Sequence, residues 1–138
     1  VHADFRLGNC LVDEQGRIQA VVDWETTTLG DPLADIALTL VAWSDPEAPR
    51  LPMELPSDAP GFPSRHDLLE RYREKSGRDF SRFDFHMAFQ YWRWACITED
   101  INERYKSGAY GEPREVPELE EAAEQSALHA RDLLKAMG

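Results

Sequence analysis

The sequence predicts an α+β chain, mainly helical, with one small β-hairpin near its start. Two short β-branched runs flank a turn cluster within the first 22 residues, and apolar residues recur at helical spacing in four later stretches. Between the first and second of those stretches lies a segment from Asp45 to Pro63 that holds six of the nine prolines. So interrupted a segment forms neither a helix nor a central strand, and is expected as an ordered loop or a flap.

Each element follows from local chemistry. Cys10 to Asp13 and Arg17 to Val22 read as the strands of a hairpin, with Asp13, Glu14, Gln15 and Gly16 as turn residues. Gly30-Asp31-Pro32 reads as a helix start: Asp31 suits the N-cap, Pro32 the first helical position, and Leu33, Ile36, Ala37 and Leu40 repeat toward about Trp43. Ser64 with Asp67 resembles a capping box opening a short helix that ends near Gly77. A longer helix is expected from about Phe83 to Lys106, with Phe85, Phe89, Trp92, Cys96 and Ile97 as its buried face. The last runs from about Pro117 to Met137, with Leu119, Ala122, Ala123, Ala127, Ala130, Leu133 and Leu134 on one side and an acidic first turn suited to a helix N-terminus. The whole reads as a hairpin laid against a helical subdomain.

Composition narrows the function. The 138 residues, 42% hydrophobic, suffice for one modest core, and a single domain is expected. A net charge of −11 argues against nucleic acid, which is bound by concentrated Lys and Arg. It is compatible with a cationic partner or a metal ion, although most acidic surfaces are simply solvated ones. Cys10 and Cys96 lack metal-ligand spacing, so a reduced, cytoplasmic protein is expected. No apolar run is long enough to span a bilayer, and no membrane partner is expected. His66, His86 and His129 have no partners at ligand spacing, so no zinc site is proposed.

The first residues carry the chemistry. His2, Asp4 and Asn9 stand in the order H-x-D-x-x-x-x-N, and Asp23 follows at the end of the second strand. Phosphoryl transfer requires a carboxylate to orient the attacking hydroxyl and accept its proton, and oxygen ligands to hold Mg²⁺. Asp4 suits the first role. Asn9 and Asp23 suit the second, because Mg²⁺ takes oxygen ligands and a hairpin brings its two ends side by side.

The motifs HADFRLGN (His2 to Asn9), VVDWE (Val21 to Glu25) and LGDPLADIA (Leu29 to Ala37), in this order and spacing, resemble the aminoglycoside phosphotransferase and choline kinase-like family. The runs DFRLGN and DWETTTLGDPLAD resemble more narrowly the kinase domains associated with acyl-CoA dehydrogenases. The resemblance implies a protein-kinase-like C-terminal lobe whose hairpin carries the catalytic and metal-binding residues. It implies Mg²⁺, and ATP or GTP as co-substrate, with a hydroxyl on a small molecule as acceptor. Position by position it implies Asp4 as base, Asn9 and Asp23 as Mg²⁺ ligands, and His2 as a brace of the loop. Asp31 is expected to hydrogen-bond the loop backbone while capping its helix, with Asp35 as a second candidate. Arg6 and Glu25 are candidate substrate or metal contacts.

Two departures stand out. Ala3 occupies a position where the family usually has Gly, which costs on the order of 1 kcal/mol if the backbone there is left-handed. The family's N-terminal nucleotide-binding lobe, with its glycine-rich strand pair and phosphate-binding Lys, has no counterpart in these residues. Residues 1–138 are therefore expected as the C-terminal lobe alone, with little nucleotide affinity in isolation. A non-catalytic binding or scaffold module of the same fold is the alternative. The acceptor has no readable code: the acidity leans toward a cation, the narrower resemblance toward a hydroxyacyl compound.

Overall fold

A computed structural model describes all residues, Val1–Gly138. The chain divides into two compact units, Val1–Ser44 with Leu55–Phe83, and Asp45–Glu54 with Asp84–Gly138.

The first unit holds the hairpin and two helices. A single 3-10 turn, Leu7–Asn9, leads into strand β1, Cys10–Val12, which pairs antiparallel with β2, Ile18–Val21. The register sets Cys10 opposite Val21 and Leu11 opposite Ala20, with an irregularity before Val12. The connecting turn is organised by the Asp13 carboxylate, which accepts the backbone N–H groups of Gln15 and Arg17 and the side chains of Arg17 and Gln19. Gly16 is left-handed there, at φ +74°, a conformation glycine adopts without steric cost.

Helix α1, Leu33–Val41, is the core of this unit, with Leu33 and every residue from Ile36 to Val41 buried. Its mean composition is too apolar for a surface helix, which is why its pattern reads as a run rather than a stripe. Helix α2, Arg65–Ser76, begins as its sequence dictates: the Ser64 hydroxyl accepts the Asp67 N–H, and Gly77 closes the helix at φ +60°. Between α1 and α2 the chain is pinned by side chains. Trp43 Nε1 donates to Pro63 O at 2.8 Å, and Arg65 donates to Trp43 O at 2.7 Å. Of the proline-rich segment, residues 45–54 fall in the second unit and the remainder, with a short 3-10 turn at Pro56–Asp58, in the first.

The second unit is built on helices α3, Phe83–Lys106, and α4, Pro117–Ala136. The position of α3 matches its pattern, but its buried face is not the predicted one. Phe85, Phe89 and Trp92 are 40, 42 and 55% exposed, whereas Ala88, Tyr91, Ala95, Thr98 and Asn102 are buried. The buried set repeats at intervals of three and four just as the aromatic set does, so periodicity alone offers two faces. Small residues decide between them: α4 presents Ala122, Ala123, Ser126 and Ala130, and Tyr91 meets His129 edge-on with ring centroids 4.5 Å apart. No helix is long and apolar enough to cross a membrane.

Candidate functional site

The stretch from Val1 to Arg6 is irregular backbone fixed by side chains of α1 and of Thr26. Asp35, on the first turn of α1, accepts the N–H of His2 through Oδ2 and the N–H of Ala3 through Oδ1, both at 2.8 Å. Thr39, one turn further along α1, donates to Phe5 O at 2.9 Å. Thr26, beyond the hairpin, donates to His2 O at 3.1 Å. The two Asp35 bonds hold Ala3 at φ +66°, a left-handed conformation that a Cβ disfavours.

His2 is buried and ties the loop to the hairpin. A backbone N–H can only donate, so the Asp4 N–H at 3.2 Å makes Nδ1 an acceptor, and the ring proton sits on Nε2, which donates to Val22 O at 2.9 Å. The exposed Trp24 ring lies against the same imidazole at a centroid distance of 4.6 Å. Both ring nitrogens are thus committed to backbone, as befits a brace.

Asp4 and Asn9 are joined directly. The Asn9 amide nitrogen donates to Asp4 O at 2.8 Å and to Asp4 Oδ2 at 2.9 Å. Both amide hydrogens are then used, and Oδ1 is the atom of Asn9 with capacity to meet a cation. Arg6 Nε lies 3.4 Å from the same Asp4 oxygen. Its guanidinium lies over Gly8, 2.7 Å from where a Cβ there would stand.

The hairpin brings Asp23 toward this group. Val22 N–H donates to Asn9 O at 2.9 Å, so Asn9 faces Val22 and Asp23 is the next residue. Asp23 is exposed and left-handed at φ +68°, the second non-glycine residue with positive φ. Glu25 is exposed two residues on. Asp31 accepts the Leu33 N–H at 2.9 Å and so serves the helix start. The His2 and Ala3 amides are bound by Asp35. Asp35 and Thr39 were missed as principal braces because both sit inside the apolar run of α1, where a polar residue reads as a surface position. Cys10 follows Asn9 with its thiol pushed up by burial, which makes it a poor nucleophile.

No group of three or more His, Cys, Asp or Glu side chains is placed to hold a metal ion. A Mg²⁺ ion asks for less, since it keeps several waters and takes one or two protein oxygens beside those of a phosphate. Asn9 Oδ1 and the Asp23 carboxylate, at the open end of the hairpin, fit that donor set.

In this loop Asn9 holds the Asp4 carboxylate, and Asp35 of the following helix binds the backbone just before it. Residues 1–68 match the model of the phosphotransferase enzyme family, APH, and the resemblance carried by the three motifs holds over the stretch that contains them. The chain is 34% identical over 113 residues to acyl-CoA dehydrogenase family member 10 of Mus musculus, covering 78% of this chain and 11% of that protein. It is 31% identical over 112 residues to acyl-CoA dehydrogenase family member 11 of Homo sapiens, with 78 and 14% covered. Against the probable acyl-CoA dehydrogenase IBR3 of Arabidopsis thaliana it is 28% identical over 116 residues, with the same coverages. The chain thus spans about an eighth of the length of the curated relatives it matches. No solved structure matches it.

Proposed function

We propose that this chain carries the catalytic loop of a kinase that transfers the γ-phosphoryl group of ATP or GTP to a hydroxyl of a small molecule. One observation carries the reading: Asp4 is oriented by Asn9 within a loop whose backbone Asp35 binds and whose His2 is tied to the hairpin. Asp4 accepts the proton of the acceptor hydroxyl as the new P–O bond forms and the bond to the nucleoside diphosphate breaks. Asn9 restrains the carboxylate so that one oxygen stays presented, and Arg6 sets a positive charge beside it. Mg²⁺, held by Asn9 and Asp23, would neutralise phosphate charge. Glu25, which is exposed, is a further candidate for contact with substrate or metal.

The test is nucleotide consumption by the longest natural chain containing these residues, across a panel of hydroxylated compounds. The relatives are named for acyl-CoA chemistry, so hydroxyacyl thioesters belong in the panel beside aminoglycosides, choline and sugars. Asp4→Asn is expected to lower turnover by about 10²–10⁴-fold, the usual contribution of a general base. Equal turnover by both forms would remove Asp4 from the chemistry. No turnover with any acceptor would favour the non-catalytic module.

A further inference from the structure

The first unit contains a cavity of about 410 Å³ lined by the loop residue Phe5 and by α1 and α2. Its apolar wall includes Phe5, the residue after Asp4, with Ile36 of α1 and Leu68 and Tyr72 of α2. The volume falls within the range of roughly 300–1,000 Å³ usual for small-molecule sites. Arg71 and Lys75 stand on the same wall, one helical turn apart on α2. Their neighbour Arg73 is paired with Glu70 at 3.0 Å, but Arg71 and Lys75 have no ion pair or hydrogen-bond partner. In a chain of net charge −11, two adjacent cations without a carboxylate are an unusual provision. The one carboxylate on the wall, Asp35, has both oxygens engaged by the His2 and Ala3 amides, which offsets its repulsion of an anion.

An apolar wall edged by two free cations matches one ligand chemistry. We propose that this cavity binds an anionic amphiphile, an alkyl chain with a carboxylate or phosphate head. The chain lies along Phe5, Ile36, Leu68 and Tyr72, and the head sits between Arg71 and Lys75, whose own aliphatic stems extend the apolar wall. The site requires nothing of the phosphotransfer reading, because it rests on the cavity and its charges alone. The second unit has an apolar groove as well, at Phe89 and Trp92, but its cations Arg131 and Lys135 are both drawn to Asp132. That contrast supplies an internal control.

The test is calorimetric titration of the 138-residue chain with octanoate, octyl phosphate and octylammonium, below their micelle concentrations. Saturable binding of at least one anion, and none of the ammonium, is the expected result. The tighter anion identifies the head group. The double variant R71A/K75A, both at exposed helix positions and so expected to fold, should weaken that anion by about tenfold or more. Amide shifts in ¹⁵N spectra should centre on Phe5, Leu68 and Tyr72. Equal binding of anion and ammonium, no binding of either anion, unchanged affinity in the folded double variant, or shifts confined to Phe89 and Trp92 would each overturn the proposal.

Discussion

Ala3→Gly should stabilise the protein, although it removes a methyl group beside a buried histidine. At φ +66° the Ala3 Cβ crowds the neighbouring carbonyl, a strain of about 1–2 kcal/mol for an L-residue in the left-handed region. Glycine has more freedom in the unfolded chain, which returns about 0.4–1 kcal/mol. The net gain is about 0.5–1 kcal/mol, or roughly 2–8 °C in melting temperature for a unit of this size. Asp23→Gly relieves a similar φ, but Asp tolerates that region better than Ala, so its gain should be smaller. Calorimetry at neutral pH, with urea denaturation as a second measure, reads both. A lower melting temperature for Ala3→Gly would refute the reasoning, because the methyl would then contribute more by packing than its conformation costs.

Three further outcomes follow from the same contacts. Asp35→Ala leaves the His2 and Ala3 amides without their acceptor and should cost about 1–3 kcal/mol; faster hydrogen exchange at those two amides is the specific sign, and unchanged exchange would count against the clamp. The Asp13 carboxyl is held below its usual range, first by the Arg17 backbone N–H and then by the Arg17, Gln15 and Gln19 contacts. Its contribution is therefore present above about pH 4 and lost as pH falls through the lowered folded value. The hairpin of wild type and Asp13→Asn should accordingly differ in amide exchange at neutral pH and converge in strong acid. Tyr91→Ala, at a fully buried position against His129, should cost about 3–5 kcal/mol, whereas Trp92→Ala should stay within about 1 kcal/mol, since over half of Trp92 faces solvent.

Elements whose ends are specified by local chemistry were legible from the sequence. The Ser64–Asp67 box and Gly77 bracket α2 because both act through backbone groups within one turn. The hairpin was legible for the same reason, its turn being closed by groups within a few residues of Asp13 and Gly16. The buried face of α3 was not. Hydrophobicity favours Phe85, Phe89 and Trp92, but close helix packing favours Ala88 and Ala95, and which criterion rules depends on the partner surface. That surface, the alanine face of α4, lies about thirty residues away in sequence and becomes informative only when the two helices are known to meet.

The loop shows the same limit at a finer scale. The spacing of His2, Asp4 and Asn9 names residues that act on one another across a few positions, and Asn9 does bind Asp4. The clamp from α1 is a contact over more than thirty residues, and two aspartates, Asp31 and Asp35, compete for it in the sequence. Capping logic favours Asp31, whose oxygen indeed takes the Leu33 N–H. Asp35, one turn further in, turns both of its oxygens to other backbone. That is where the two loop amides bind. Because Asp35 fixes them, Ala3 is held left-handed, and the strain expected from replacing a glycine becomes a property of the folded loop rather than a reason for it to rearrange.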